Sequence, residues 1–403
     1  MKIGVIGGGA AGFFAAIHSA ENNPEAEVHI IEKTSKVLGK VKISGGGRCN
    51  VTNVIYQPVP LSKHYPRGEK FLKKAFGHFN SQDTVKWFED RGVKIKAEED
   101  GRMFPDTDDS QTIIDCLMNE VRRLGIQLRY STTVQSLTTL EEESIGLEID
   151  GQQEVFDKVI VCTGGQPKIE GFNWLKSLGH KVESPVPSLF TFKINHKPLT
   201  ALMGLSVPNA KIRVIGEKKL VEEGPLLITH WGISGPVVLR TSAWGARILS
   251  DKNYQFSILV SWLNNYTEEE LRQYIYEQKE VLKKKQIKNK NPFQLPQRLW
   301  DYCLQRIEVP ETKLWLDLSK KELNKLINFL LSDQYDVIGQ TKFKEEFVTC
   351  GGISLSDIDV KTMESKKVKN LHFAGEIMDI DGITGGFNFQ AAWTTSFIAS
   401  KSN

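Results

Sequence analysis

The sequence contains no apolar run of eighteen residues, which is about the length that a membrane-spanning helix needs. Met1 and Lys2 are followed directly by a strand-like segment, so we expect no signal peptide. Charge of neither sign dominates, since 52 basic and 49 acidic residues leave a net charge of +3. We therefore expect a cytoplasmic protein that acts on a small molecule and has no membrane or nucleic-acid partner, while the oligomeric state stays open.

Cysteine is scarce and has no regular spacing. The five cysteines are odd in number and never form C-x-x-C; they are Cys49, Cys116, Cys162, Cys303 and Cys350. This distribution argues against a disulfide framework and against a zinc site, so we expect no metal. Cys162 lies in an apolar strand and is expected to be a core residue, whereas Cys49 follows a run of glycines.

The chain opens with a strand, a glycine-rich turn, a helix and a second strand. Gly7, Gly9 and Gly12 form G-x-G-x-x-G directly after the apolar run Lys2–Ile6, and Glu32 follows twenty residues after Gly12. Such glycines allow a tight turn, close approach of backbone N–H groups to a pyrophosphate, and close helix packing. The acidic residue accepts from a ribose hydroxyl and disfavours a 2′-phosphate, so NAD and FAD are both open. The candidate residues here are Gly7, Gly9, Ala10, Ala11, Gly12, Glu32 and Lys33.

A second glycine-rich stretch, Thr34–Asn53, is too polar to form one regular element. Its three successive glycines indicate another place where the backbone approaches a ligand, and we favour this over a flexible surface loop. A third set of glycines ends the apolar strand Lys158–Cys162, at the carboxyl edge of the predicted parallel sheet. The candidate residues of these segments, with one from a nearby strand, are Gly39, Lys40, Ser44, Gly45, Gly46, Arg48, Cys49, Asn50, Val134, Thr163, Gly164 and Gly165.

The alternation of strands and helices stops near Pro185 and resumes near residue 346. We therefore predict a Rossmann-like domain made from residues 1–185 and 346–403, with an inserted domain at 186–345. The insert is expected to be β-rich at 186–265 and 308–345, and helical at about 266–307 and 319–332. Its run Lys279–Lys290 is strongly basic, and we favour a solvated helix face over a binding site.

The nucleotide-domain pattern returns near the C-terminus. The apolar strand Val368–Phe373 leads into a carboxylate, a glycine-rich crossing and a helix. A second site of this kind distinguishes FAD from NAD, whereas no second G-x-G-x-x-G follows a strand. Direct use of NAD(P)H therefore stays open but has no fingerprint of its own. The candidate residues are Gly375, Glu376, Asp381, Gly382, Gly386, Phe387 and Asn388.

Five sequence blocks resemble the YhiN/BaiN-like flavoproteins, a family that includes NAD(P)/FAD-dependent oxidoreductases and enzymes named aminoacetone oxidases. The blocks are GGGAAG at Gly7–Gly12, SGGGRCNVTN at Ser44–Asn53, THWGISGP at Thr229–Pro236, VTCGGISL at Val348–Leu355 and FAGEIMDIDGITGGFNFQAAW at Phe373–Trp393. The resemblance implies an α/β fold, with a Rossmann-like FAD-binding domain of the glutathione-reductase type and an inserted β-rich plus helical domain. It also implies that Glu376 holds the ribityl chain, that Asp381 and Gly382 lie by the flavin, and that the helix after Gly386 points its N-terminus at the flavin N1 edge.

Two residues are candidates for chemistry. Cys49 stands where flavin disulfide reductases carry the first cysteine of a C-x-x-x-x-C pair, but Val54 occupies the second position. A packing role is therefore favoured for Cys49 over that of a nucleophile. His230, in the block THWGISGP, is a candidate proton donor or base beside the flavin, although a lone histidine is more often structural.

The predicted function is that of an FAD-dependent oxidoreductase which transfers a hydride between flavin N5 and a small organic substrate. Amine oxidation by O2 and NAD(P)H-driven reduction are both open. The alternative is an FAD-binding protein with a structural, sensory or RNA-modifying role. Near-neutral charge and the lack of a basic aromatic patch argue against RNA. A plain NAD-dependent dehydrogenase is disfavoured by the C-terminal block.

Overall fold

The computed structural model of the protein describes residues 1–341 and 348–401. The chain divides into two compact units, Met1–Ser188 with Phe343–Asn403, and Leu189–Lys342. The predicted domain boundary at 345/346 lies outside the described residues. No helix in the described part of the chain is long and apolar enough to cross a membrane.

The described residues form nineteen strands. They are β1 (Lys2–Ile6), β2 (Glu27–Ile31), β3 (Thr52–Asn53), β4 (Ile95–Ala97), β5 (Arg102–Pro105), β6 (Gln127–Arg129), β7 (Val134–Thr139), β8 (Ile145–Ile149), β9 (Gln152–Phe156), β10 (Lys158–Val161), β11 (Val182–Ser188), β12 (Thr191–Ile194), β13 (Ser206–Val214), β14 (Val221–Thr229), β15 (Gly232–Ser234), β16 (Phe256–Ser261), β17 (Asp333–Thr341), β18 (Val348–Ile353) and β19 (Leu371–Phe373).

Fourteen α-helices accompany them over the same described ranges. They are α1 (Ala10–Asn22), α2 (Gly39–Gly47), α3 (Pro58–Ser62), α4 (Glu69–Ala75), α5 (Ser81–Glu89), α6 (Ser110–Arg123), α7 (Asn173–Lys176), α8 (Lys197–Thr200), α9 (Pro236–Trp244), α10 (Ala246–Asp251), α11 (Glu268–Val281), α12 (Gln297–Arg306), α13 (Lys320–Ser332) and α14 (Phe387–Ala399).

A five-stranded parallel sheet organises the first unit. Its strand order is β19-β10-β1-β2-β6, and every neighbouring pair is parallel. Because parallel strands end at the same edge, the segments that follow β1, β10 and β19 all begin at one side of the sheet. This arrangement confirms the predicted α/β, Rossmann-like class. Three smaller antiparallel sheets complete the unit, in the orders β3-β5-β4, β7-β8-β9 and β11-β18.

Helices α1 and α14 pack against each other beside this sheet. Ten consecutive residues of α1 are buried, and the Ser396 hydroxyl of α14 donates to the Ala11 carbonyl at 2.9 Å. Alanines keep the two backbones close, while Phe13 and Phe14 are fully buried and each contribute about 1.5–3 kcal/mol by burial. The two ends of the chain are therefore joined through one core.

Polar side chains cap the starts of two helices in this unit. Asn80 caps α5, because its side chain accepts from the Gln82 and Asp83 N–H groups. In the same way Asp109 caps α6, by accepting from the Gln111 N–H at 2.8 Å. Each cap residue has an extended backbone, which turns its side chain towards the first N–H groups of the helix.

The second unit is built on a closed barrel of six strands in the order β12-β15-β14-β13-β16-β17, with every pairing antiparallel. Its core also contains aromatic side chains from the helices, including the fully buried Trp300 and Trp315. The predicted helical range 266–307 is interrupted, because α11 ends at Val281 and α12 begins only at Gln297. Capping boxes at Thr267 and Ser319 fix the starts of α11 and α13.

Candidate cofactor-binding site

The turn between β1 and α1 leaves one glycine facing open space. A Cβ added at Gly12 would lie 1.8 Å from the Gly7 carbonyl oxygen, so only glycine lets α1 approach the strand this closely. A Cβ added at Gly9 would have no atom within 4 Å. Gly9 is the N-cap of α1, no side chain caps the helix, and its first turn has no acidic residue. The free N–H groups and helix dipole therefore fit an anion.

Glu32 lies beside this turn at the end of β2. Its carboxylate accepts from the Gly8 N–H at 2.7 Å and from the Thr34 N–H at 2.8 Å. These bonds fix the side chain next to the phosphate turn, where a ribose hydroxyl can donate to it. Lys33 is exposed immediately after it. The candidate residue Val134 begins β7. Two residues before it, the Thr132 N–H donates to the Glu32 carbonyl oxygen at 2.9 Å.

The glycine-rich stretch contains a broken helix, α2, and the short strand β3, so it does not form one regular element, as expected. Helix α2 departs from helical backbone at Ser44, Gly45 and Gly46. Added Cβ atoms at Gly39 and Gly46 would meet nothing within 4 Å, so both positions leave open space. The left-handed backbone at Gly45 and Gly46 accounts for the break.

Cys49 and Arg48 are engaged within the protein. The Cys49 thiol is fully buried, and burial raises its pKa to about 12 while a hydrogen bond with Ser44 opposes the shift. A thiol that stays protonated at neutral pH is a poor nucleophile, which supports a packing role. The Arg48 guanidinium donates to Glu98 at 2.6 Å and lies 4.0 Å from the centre of the Phe104 ring.

The ends of β10 and β19 bring together residues that are distant in sequence. Glu376 accepts from the Thr349 N–H at 2.7 Å and from the Lys40 ammonium at 2.7 Å. An added Cβ at Gly165 would lie 2.7 Å from a Glu376 carboxylate oxygen, so glycine is needed there. The Thr163 hydroxyl is buried and has no hydrogen-bond partner among the described residues. Such an unsatisfied group fits a site that receives a polar ligand.

The crossing loop before α14 is held by reciprocal bonds. The Gly382 N–H donates to the Asn388 side chain at 2.8 Å, and the Asn388 amide donates back to the Gly382 carbonyl at 2.9 Å. Gly386, the N-cap of α14, has φ +90°, and an added Cβ would lie 2.4 Å from the Thr52 carbonyl oxygen. With its amide oriented to satisfy its neighbours, the Asn50 oxygen accepts from the Gly386 N–H at 2.9 Å.

Sequence reasoning missed the segment His64–Arg67, which fixes this crossing loop. The Tyr65 hydroxyl donates to the Phe387 carbonyl at 2.7 Å, and the His64 ring stacks on Phe387 with centres 4.4 Å apart. Arg67 donates from Nε and Nη2 to the fully buried Asp381 carboxylate, which also accepts from Ser188 at 2.7 Å. Asp381, expected beside the flavin, is thus an internal partner of Arg67. The only signal was the Tyr-Pro-Arg-Gly turn before α4.

His230 lies in the second unit, exposed at the turn between β14 and β15. Its ring makes an edge contact with Trp231, with centres 4.3 Å apart. Trp231 in turn donates to the Thr191 hydroxyl at 3.1 Å. The histidine therefore stands on an ordered hairpin, and its catalytic role stays a prediction.

The first unit has the features that FAD requires. These features lie on the segments that leave the sheet edge or enter α1 and α14. They are the open positions at Gly9 and Gly39, the unsatisfied Thr163 hydroxyl, and two helix N-termini without side-chain caps. Glu32 suits the adenosine ribose and Glu376 the ribityl chain, since both are hydrogen-bond acceptors. Among the described residues there is no group of three metal-ligating side chains.

Comparison with known proteins agrees with this reading. The chain is similar to the ribosomal RNA dihydrouridine synthase of Escherichia coli (strain K12), with 29% identity over 98% of this chain and 96% of that protein. It is similar to the protein of the same name from Haemophilus influenzae, with 28% identity over 99% of this chain and 97% of that protein. The 3-dehydro-bile acid delta(4,6)-reductase of Clostridium scindens is 25% identical over 99% of this chain and 98% of that protein.

Two solved structures share the fold. An open conformation of a flavocytochrome c3 fumarate reductase has a TM-score of 0.51 and 15% identity, over 99% of this chain and 77% of that one. The 3-ketosteroid-delta4-(5alpha)-dehydrogenase from Rhodococcus jostii RHA1 also has a TM-score of 0.51, with 13% identity over 99% and 96% of the two chains. The family model of the HI0933-like protein Rossmann domain matches residues 1–402. The chain therefore belongs to the HI0933-like family, the family of the YhiN/BaiN-like proteins, and is an FAD-dependent oxidoreductase.

Proposed function

We propose that this protein reduces a carbon–carbon double bond conjugated to a carbonyl group, and that its substrate is the uracil base of a uridine in ribosomal RNA. The observation that carries the proposal is the pair of named reactions among relatives matched over nearly their full length. Dihydrouridine formation saturates the C5=C6 bond conjugated to the C4 carbonyl of uracil. A reductase of a 3-oxo steroid diene acts on the same kind of conjugated system.

In both reactions a hydride adds to the end of the conjugated double bond that is farther from the carbonyl group, which is the β carbon in uracil and the β or δ carbon in the diene, and a proton adds to the other end. A reduced nicotinamide is the proposed source of the two electrons, and bound FAD supplies hydride transfer at N5. Within this proposal the chain binds FAD through the candidate residues described above. The N-terminus of α14 would stabilise negative charge at the N1 edge of a bound flavin. His230 is the proposed proton carrier. Because both named relatives reduce or saturate a substrate, reduction is favoured over amine oxidation.

The charge of the second unit favours RNA over a free small molecule. Residues 189–341 contain 22 basic and 16 acidic side chains, although the whole chain has a net charge of only +3. The positive charge is therefore concentrated in the second unit, and the rest of the chain is slightly acidic. Nucleic-acid binding depends on such local excess of Lys and Arg rather than on the average over a chain.

The test uses FAD-loaded protein under anaerobic conditions with NADH or NADPH. Three substrates are compared: ribosomal RNA transcribed without modification, free uridine, and a 3-oxo-Δ4,6 steroid. Nucleoside mass spectrometry should detect a uridine product heavier by two hydrogens in the RNA reaction, and none when FAD is removed. Steroid reduction without any RNA product would retain the reductase and overturn the RNA substrate. Peroxide formation from amines, with no oxidation of either nicotinamide, would overturn the proposal as a whole.

A further inference from the structure

The connection between α11 and α12 contains a short basic turn, residues 282–290, which we name the lysine turn. Five of its nine residues are lysine: Lys283, Lys284, Lys285, Lys288 and Lys290. The sequence predicts that these lysines lie on a solvated helix face. That expectation is wrong, because α11 ends at Val281, before the first of them. They lie on a folded turn of the barrel unit.

The lysine turn is fixed by buried tryptophans. Ile287 is fully buried and anchors the turn in the core of the unit. The Trp300 indole donates to the Ile287 carbonyl at 2.9 Å, and the Trp315 indole donates to the Lys290 carbonyl at 3.0 Å. The two indole rings are nearly parallel, with centres 6.2 Å apart. Each indole N–H thus satisfies a backbone carbonyl of the turn.

Backbone pairing gives the turn further support. The Ile287 N–H donates to the Lys313 carbonyl at 2.9 Å, and the Trp315 N–H donates to the Lys285 carbonyl at 3.0 Å. Gln286 and Leu314 form an isolated antiparallel bridge between the same two segments. Bonds on both sides of the lysines therefore hold the turn in one backbone conformation.

Most of the charge on the turn is uncompensated. Lys288 pairs with Glu311 at 2.5 Å. Lys283, Lys284, Lys285 and Lys290 are exposed, and none has an acidic side chain within 4.0 Å among residues 1–341 and 348–401. Holding four like charges on a fixed turn is electrostatically unfavourable in the absence of a partner. A polyanion relieves that repulsion and releases its own counterions on binding.

We propose that the lysine turn is a docking surface for the phosphate backbone of an RNA strand. The inference rests on the proposed function, because the ribosomal RNA substrate selects RNA among polyanions. Lysine ammonium groups act as point charges on phosphates and carry no sequence information. The turn therefore contributes affinity, while recognition of the uridine belongs to the flavin site.

The test compares three variants of the FAD-loaded protein with the wild type. The first removes charge by Lys283→Gln, Lys284→Gln and Lys285→Gln together. The second keeps the charge by replacing the same three residues with arginine. The matched control removes three exposed lysines without acidic partners elsewhere in the unit, by Lys197→Gln, Lys218→Gln and Lys219→Gln. FAD content and melting temperature, measured first, should be equal in all four proteins.

Binding is measured with deproteinised bacterial ribosomal RNA at several salt concentrations. Loss of three phosphate contacts should reduce the slope of log K against log salt by about 2, which is roughly a 100-fold loss of affinity at 0.1 M salt. The arginine variant should bind like the wild type, and the control variant should keep most of its affinity. Equal losses in the glutamine and control variants would overturn the docking surface, because only total charge would then matter.

Three further measurements separate this inference from the proposed function and from binding to a membrane. NADPH and NADH oxidation with a small conjugated ketone should be the same in the glutamine variant and the wild type. RNA binding through the turn without any dihydrouridine product would remove the proposed function but retain the docking surface. Tight binding to vesicles containing phosphatidylglycerol, with no binding to RNA, would overturn the docking surface and assign the turn to a membrane.

Discussion

Replacement of Gly9 by alanine should weaken FAD binding without weakening the fold. The Gly9 backbone is extended, with φ −91° and ψ −171°, which alanine also adopts. An added Cβ has no atom of the protein within 4 Å, so it causes no clash in the unliganded chain. The preference for glycine over alanine at an N-cap opposes the entropy gained from replacing glycine. The unfolding free energy of the apoprotein should therefore change by less than about 1 kcal/mol.

In the proposed site the methyl group occupies space that the pyrophosphate of FAD needs. If it prevents one hydrogen bond between a phosphate oxygen and the start of α1, the cost is about 1.5–3 kcal/mol, because the acceptor is charged. That free energy corresponds to FAD binding weaker by roughly 10-fold to 150-fold. Titration of the apoprotein with FAD, followed by flavin fluorescence, measures the change directly.

Gly12→Ala provides the contrast. Its Cβ would overlap the Gly7 carbonyl oxygen at 1.8 Å, so α1 must move away from the strand even when no ligand is present. Overpacking of this kind costs about 1–3 kcal/mol or more, and the melting temperature of the apoprotein should fall by several degrees. Wild-type FAD affinity in Gly9→Ala, or equal loss of apoprotein stability in both variants, would refute the placement of the phosphates.

Three other outcomes follow from buried groups. Arg67→Ala should destabilise the protein by about 3–5 kcal/mol, because Asp381 stays buried without its cation, and Arg67→Ala with Asp381→Asn should recover part of that loss in urea unfolding. All five cysteines are buried thiols outside any disulfide, so a thiol reagent should label none of them until the protein unfolds, and rapid labelling of Cys49 in the native protein would contradict its packing role. Burial lowers the pKa of His372 to about 3, below its value of 6.5 in the unfolded chain. The fold therefore favours the neutral imidazole, whose contribution to the free energy of unfolding is complete above pH 6.5 and is lost as the pH falls towards 3. His372→Gln should therefore reduce the slope of stability against pH by up to about 1.4 kcal/mol per unit in that window, and an unchanged slope would show that folding does not lower the pKa of His372.

The parts of the site that sequence could predict are those fixed by neighbours in the chain. The glycine turn, the helix and Glu32 depend on contacts across about thirty residues, and each leaves a pattern at a fixed interval. The bond between Arg67 and Asp381 joins residues 314 apart, and no local pattern marks it. Closure of the barrel also depends on residues that are remote in sequence, because β12, near the start of the second unit, pairs with β17, near its end. Predictions failed where the partner was remote rather than where the local signal was weak.

The lysine turn shows why composition alone does not decide whether the chain has a nucleic-acid partner. Lysine has good helix propensity, so the run Lys279–Lys290 resembles a continuation of α11. On a helix with 3.6 residues per turn, three consecutive lysines would project about 100° apart, and no single surface could receive all three. The helix ends at Val281 instead, and Ile287, Trp300 and Trp315 hold the residues that follow in a turn. The lysines of the turn are therefore not bound to project about 100° apart. A net charge of +3 describes the sum of two unlike units, and it cannot exclude a nucleic-acid partner for the one that holds the excess of basic side chains.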